Sequence, residues 1–336
     1  MERALKMPPE FSKATKEVLG KRAAFLCSNP DCRTTTAGPT SDPLKALNIG
    51  EAAHIFGAYP GAARFREEMS DGARAEITNG IWLCRNCHKL IDNDPVTYLS
   101  DILYRWRSDH ELYVAQKVGN KTELIRWEVA EQKLHEAFRD NLLAKQIARE
   151  KLPGWEYRLI AELLRSRLDK PAREWAELKG NLRVSKLTPL PDEDVIRWFQ
   201  VKLAEGMAFV GPLTNLYSVE LEKSWGPPGI PGDEQAISRV CSLIAEVAVA
   251  LVHWEEDVRF VWVSEIYRPL LHHMRGIMGR NLEKLLEMPS ILDEGIDHAE
   301  AHPNEQTVIE HTLVFDLPDG WADAIGAELE RIQAQL

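Results

Sequence analysis

Residues 79–92 read Asn-Gly-Ile-Trp-Leu-Cys-Arg-Asn-Cys-His-Lys-Leu-Ile-Asp, and the fold turns on this stretch. Asn79-Gly80 is a strong turn signal, and Ile77 to Leu83 reads as a strand interrupted by it. Cys84-x2-Cys87 follows at once, and residues 85–92 read as the start of a helix. A close cysteine pair forms a turn that presents two sulfurs to one point. Cys27-x4-Cys32 is a second such pair upstream. In a chain expected to be cytoplasmic, two close pairs mean a metal more often than a disulfide. Together Cys27, Cys32, Cys84 and Cys87 can supply four thiolates to one tetrahedral Zn²⁺, a structural site because four ligands leave no position for water. Buried free thiols are the alternative.

Working outward, residues 10–26 read as a short helix leading into the first pair, and residues 33–48, rich in Thr, Ser, Gly and Pro, as loop. Glu51 to Phe56 is a strand candidate. Residues 57–76 suggest an extended surface loop with one helical turn. Residues 97–118 carry Leu99, Leu103, Trp106 and His110 at helical spacing.

Three polar residues stand among these elements: His54 at the end of the first strand candidate, Asn79 opening the second, and His88 directly after Cys87. The run from Asn79 to His88, with the four cysteines in order, resembles the HNH endonuclease motif, over roughly residues 20–115. The resemblance implies a ββα-metal fold, in which two strands and a helix wrap one catalytic divalent cation. It implies His54 as general base, Asn79 as the residue orienting the loop that carries the base, and His88 as a metal ligand. Asp92, one helical turn after His88, would be a second ligand to Mg²⁺ or Mn²⁺. A neutral imidazole suits proton removal from water near pH 7, and a divalent cation suits charge neutralisation at a phosphate.

Many family members have an Asp directly before the base, and here that position is Ala53. Glu51 falls on the opposite strand face from His54 and would serve only if the backbone bends, so Asp92 and Asp94 are the better carboxylate candidates. The words GEAAHI, PGAARFREEMSDGARAEITNGIWLC and CHKLIDND look like the HNH module of bacterial anti-phage effectors, including HNH–SAVED proteins. There the nuclease cuts double-stranded DNA once a signal is sensed. Arg64, Arg74 and Lys89 are the favoured phosphate contacts, since they adjoin the motif. A restriction-type or mobile-element nuclease and a non-catalytic zinc-ribbon binding module are the competing readings.

The chain has 336 residues and a formal net charge of −11, which on its face argues against a nucleic-acid partner. The charge is unevenly spread. Residues 1–120 carry 16 basic and 15 acidic side chains, so the remaining residues hold a net of −12. Composition excludes collagen-like, disordered and disulfide-scaffold classes. The most apolar run, Val240 to Val252, carries Glu246 and is shorter than a membrane span, and the N-terminal residues show no signal-peptide core. These features suggest a cytoplasmic protein without a membrane partner.

The expected fold class is therefore α+β: a small HNH domain with a four-cysteine zinc site over residues 1–118, and a mostly α-helical domain over 119–336. A break is expected at Gly119-Asn120 and a long connecting helix over 122–150. Further helices are expected at 193–208, 235–258, 261–287 and 320–335, strands at Tyr217–Lys223 and His311–Leu317, and loop at 226–233. Cys241 reads as core, Trp254 and Trp262 as packing residues on one helix face, and His298-x3-His302 as surface histidines. There is no GxGxxG or Walker run. The second part reads as a sensor, partner-docking or oligomerisation domain, with a small-molecule activator among the expected partners.

Overall fold

A computed structural model describes residues 9–118, 121–226, 230–303 and 317–335. The protein is mostly helical, with a few small sheets and a cysteine cluster. It divides into two compact units, residues 1–159 with 292–308, and residues 160–291 with 309–336.

In the first unit, α1 (Lys13–Arg22) starts at Ser12, whose side chain accepts from the Thr15 amide at 3.0 Å, a standard N-cap. Strands β1 (Ala37–Pro39) and β2 (Ala46–Asn48) form one antiparallel pair, and β3 (Gly50–His54) and β4 (Gly80–Cys84) another. Between β3 and β4 come α2 (Asp71–Ala75) and a 3-10 turn at Ile77–Asn79. Then follow α3 (Arg85–Asn93), α4 (Ser100–Val118), α5 (Lys121–Ala137) and α6 (Leu142–Glu150). The β3–β4 register runs unbroken from Gly50 opposite Cys84 to His54 opposite Gly80.

That register puts alternate residues on opposite faces. On one face Ala52 and Trp82 pack with Leu19 and Ala23 of α1. The close fit of α1 requires glycine at position 80, where an added Cβ would come within 2.5 Å of Leu19 Cδ1. The Asn79-Gly80 pair is thus the end of a 3-10 turn feeding a strand, with Gly80 at φ −107°, rather than a tight hairpin turn.

The second unit takes up α7 (Trp155–Lys179), which starts in the first, then α8 (Asp192–Ala208), α9 (Val210–Asn215), α10 (Leu221–Trp225), α11 (Glu234–Phe260), α12 (Arg268–His272), α13 (Ile277–Ala301), whose last turns belong to the first unit, and α14 (Trp321–Gln335). Residues 188–189 (β5) and 261–262 (β6) pair in parallel. Helix α11 is long and apolar enough to cross a membrane by length and composition. Ten of its residues are buried among the described residues, Cys241 and Trp254 included.

Several expectations are corrected. The helix over 122–150 is two helices, because Asn141 breaks it and caps α6 by accepting from the Ala144 amide at 2.9 Å. Tyr217–Lys223 is not a strand but lies in a π-helical turn at Leu216–Glu220 and in α10. The stretch 261–287 is not one helix: β6, a 3-10 turn, α12 and the start of α13 share it. Trp262 therefore leaves the helix of Trp254 and is half exposed, while Trp254 is buried. Helix α7 is not among the expected helices; its apolar spacing from Leu159 to Leu178 is helical, but Pro171 sits inside it. The break at 119–120, most of the His311–Leu317 strand and residues 227–229 of the expected loop lie outside the described residues.

Candidate active site

The chain leaves α1 through Ala24 and Phe25, both with left-handed φ, and enters a tight knuckle. Within it the Asn29 carbonyl accepts from the Cys32 and Arg33 amides at 3.0 and 3.1 Å, and the Cys27 amide donates to the Thr34 carbonyl at 2.9 Å. Across from it Cys84 caps α3, its sulfur accepting from the Cys87 amide at 3.5 Å. The sulfurs of Cys27, Cys32, Cys84 and Cys87 lie within 4.8 Å of one another. A tetrahedral Zn²⁺ with Zn–S near 2.3 Å needs sulfurs about 3.8 Å apart, and Cys32 and Cys84 are at 3.9 Å. The four thiols fit a metal such as zinc. Asn29, buried in the knuckle, donates from Nδ2 to Cys87 Sγ at 3.3 Å, the kind of outer hydrogen bond that orients a metal-bound thiolate. Sequence reasoning missed this residue; the signal was the Asn-Pro-Asp turn inside the first pair.

The other face of β3 meets α3. Glu51 Oε2 lies 2.8 Å from His88 Nδ1, and Asp92 Oδ2 lies 3.4 Å from His88 Nε2. All three side chains are partly exposed. The expectation that Glu51 needs a bent backbone is corrected. In a regular strand Glu51 shares a face with Ala53, and its longer side chain reaches His88 with the register intact. The useful comparison was with position 53, not with His54. The Asp92 hydrogen bond holds His88 above its ordinary pKa against the effect of burial, and Glu51 adds to it. Asp94, the other carboxylate candidate, is the C-cap of α3, and its Oδ1 accepts from the Thr97 amide at 3.2 Å.

Asn79 is completely buried. Its Oδ1 accepts from the Phe56 amide at 2.8 Å, and its Nδ2 donates to the Phe56 and Arg74 carbonyls, both at 3.0 Å. The Asn79 carbonyl accepts from the Ile55 amide at 2.8 Å. One side chain thus ties the exit of β3, directly after His54, to the end of α2. His54 lies under Phe11, rings stacked with centroids 3.9 Å apart. Among the described residues Nε2 of His54 is buried with no hydrogen-bond partner, and the ring hydrogen-bonds the Pro9 carbonyl. Burial lowers its pKa to about 4, against the Pro9 hydrogen bond, and the charge of His88 lowers it further. Phe11 carried no sequence signal, because a stacking contact with a residue 43 positions away leaves no local pattern.

The expected phosphate contacts are redistributed. Arg64 is buried in a left-handed conformation, with φ 56°. Its Nε donates to the Ile55 carbonyl at 2.8 Å, Nη1 to the Ile91 carbonyl at 2.6 Å, and Nη2 to Asp92 Oδ1 at 2.8 Å. Arg74 is buried over the Phe65 ring and donates to the Arg66 carbonyl. Both guanidiniums are taken up by the protein and neither offers a face to a duplex. Lys89 remains exposed, as does Arg85, whose Nε lies 3.1 Å from Glu51 Oε1.

The β3–β4 excursion is held by an ionic cluster that sequence reasoning did not foresee. Arg158, buried, donates to Glu76 Oε1 at 2.8 Å, Asp293 Oδ1 at 2.9 Å and Asp297 Oδ1 at 2.5 Å. Asp297 also accepts from the Ser70 hydroxyl at 3.1 Å and the Gly72 amide at 3.2 Å, at the first turn of α2. A Cβ at Gly72 would come within 2.2 Å of that carboxylate and push it out of place. Burial drives Glu76 up to about 7, with nearby Glu300 assisting and Arg158 opposing.

Elsewhere, His298 and His302 stack on each other with centroids 4.4 Å apart, and Cys241 is core. No family model matches the chain, and no curated protein and no solved structure matches it.

Proposed function

We propose that this chain is a metal-dependent HNH endonuclease that hydrolyses DNA phosphodiester bonds, with its second unit controlling the activity. The observation that carries the reading is the junction of Glu51, His88 and Asp92 on a strand–strand–helix element whose turn is held by Asn79. The two carboxylates are hard oxygen ligands of the kind Mg²⁺ or Mn²⁺ takes, and the His88 imidazole adds one borderline nitrogen ligand. Glu51, His88 and Asp92 would hold that cation, and when bound it supplies Lewis-acid neutralisation of the phosphate and the leaving oxygen. His54 is neutral near pH 7, and Nε2, the nitrogen with no partner, is the atom that takes the proton from the attacking water. Asn79 keeps the strand end under His54 from drifting. Lys89 and Arg85 meet phosphates of a double-stranded DNA substrate without reading its sequence.

An unregulated nuclease of this kind would destroy its own cell's DNA. Control through a partner protein, self-association or an activator fits a role as a bacterial anti-phage effector. The test is cleavage of supercoiled plasmid with Mg²⁺ or Mn²⁺. His54→Ala is expected to abolish cleavage with zinc content and folding unchanged. Equal activity of the variant and wild type refutes His54 as base.

One observation favours a second reading, a zinc-ribbon binding module without catalysis: Phe11 covers the base in this conformation. On that reading the protein retains DNA or partner binding, and neither wild type nor Phe11→Ala cuts DNA with any activator or cation.

A further inference from the structure

The second unit contains a cleft of about 470 Å³ beside β6 and α12. Residues 121–336 carry a net charge of −12, yet Arg259, Arg268 and Arg275 all line this cleft and, among the described residues lining it, none is Asp or Glu. The rest of the wall is His272 and mostly apolar side chains, among them Val261, Leu271 and the indole of Trp262, which is 49% exposed.

Behind the cleft the charge of Glu255 interacts favourably with both Arg275 and Arg259. Glu255, the carboxylate beneath Arg275, is occupied by the amides of Gly276, Met278 and Gly279 at 2.8, 2.8 and 3.0 Å. Arg275 itself donates a long hydrogen bond, 3.5 Å, to the Arg259 carbonyl. Arg259 is anchored through Nη1 to the Leu178 carbonyl and Asn181 Oδ1, and its Nε is buried with no partner. Arg268 has Glu265 at 3.5 Å, an exposed pair of little strength. Burial first, and then the positive charge of Arg259, lowers the pKa of Arg275 against the opposing charge of Glu255.

We propose that this cleft binds a nucleoside phosphate, with the arginines on the phosphates and Trp262 against the base. Guanidinium forks match phosphate oxygens, and an exposed indole offers a face for a planar ring. The volume falls within the range of roughly 300–1,000 Å³ that small-molecule sites occupy. A bare anion needs no apolar wall, and an apolar ligand needs no arginine trio; a phosphate ester of a planar base uses both. The proposal does not rest on the reading of the first unit, and its failure would leave that reading untouched.

The test is isothermal titration of the full chain with ADP, GDP, CDP and UDP, with inorganic pyrophosphate and adenosine as separate arms. At least one diphosphate is expected to bind with a dissociation constant below ~1 mM. Arg275→Ala and Trp262→Ala, both at exposed positions, are each expected to weaken it about tenfold or more. Pyrophosphate is expected to bind about tenfold more weakly than the best diphosphate, because it lacks the base. The proposal is overturned if none of the four binds at that concentration, if both variants bind as wild type does, or if pyrophosphate binds as tightly as every nucleotide.

Discussion

Phe11 lies face to face with His54, the two rings inclined by 10° with centroids 3.9 Å apart. The stack excludes water from one side of the imidazole, and exclusion of water disfavours its charged form. Phe11→Ala is therefore expected to raise the His54 pKa from about 4 toward the ordinary 6.5, read by NMR titration of the ring protons. Stability depends on pH accordingly. With the folded pKa depressed, the contribution is complete above about 6.5 and is lost as pH falls toward 4. The variant should flatten that loss while costing about 3 kcal/mol in packing. An unchanged titration would show that Phe11 does not govern the protonation of His54.

Glu76 works in the opposite direction. Its folded pKa is raised from 4.5 to about 7, so its favourable contribution is complete below 4.5 and is lost as pH rises through 7. Glu76→Gln is expected to remove that decline while keeping an acceptor for Arg158. Urea unfolding from pH 5 to 8 measures it. Identical slopes in wild type and variant would exclude Glu76 as the source.

Glu51 should matter to catalysis far more than its neighbour Arg85. If it holds the cation, Glu51→Gln is expected to lower cleavage at least about a hundredfold, like His88→Ala, and the double variant little further. Arg85→Ala should change the rate only a few-fold and reduce the salt slope of DNA binding by about one. Additive losses for Glu51 and His88 would argue that they act separately.

Arg64 and Lys89 should separate structure from DNA contact. Arg64→Ala leaves three carbonyls and Asp92 without a buried donor and should cost roughly 2–4 kcal/mol, seen as a lower unfolding midpoint. If the chain binds DNA as proposed, Lys89→Ala should leave the midpoint in place and weaken that binding with a smaller salt dependence. The reverse pattern would return Arg64 to the DNA surface.

If the four thiols hold zinc, Cys84→Ser should lower bound metal, counted colorimetrically as zinc released on thiol modification, and unfold the first unit, since structural zinc in small domains supplies about 10–16 kcal/mol of apparent binding energy. Full helicity in a metal-free variant would mean that the four thiols act only as packing.

The strand–strand–helix order was legible because its signals are local: two cysteine pairs, a turn at Asn79-Gly80 and short apolar runs. The cysteine cluster was legible for the same reason. What escaped the sequence is long-range. Proximity to the motif says nothing about burial, so Arg64 and Arg74 read as surface charges when one holds the β3 exit to α3 and the other lies under Phe65. The face of Glu51, opposite His54, was legible; that α3 brings His88 within its reach on that face, with no bend in the strand, was not. Pro171 hid α7, and the alternation of Tyr217, Val219 and Leu221 with polar residues gave a strand pattern to what is helical.

The Gly72 amide is capped by Asp297, a residue 225 positions later. The first unit is therefore not a contiguous cassette. Gene fusion or truncation that transplanted residues 1–118 alone would leave the first turn of α2 without its cap, and the Arg158 cluster without its centre. The fold of α2 thus depends on a helix that the chain supplies some two hundred residues later.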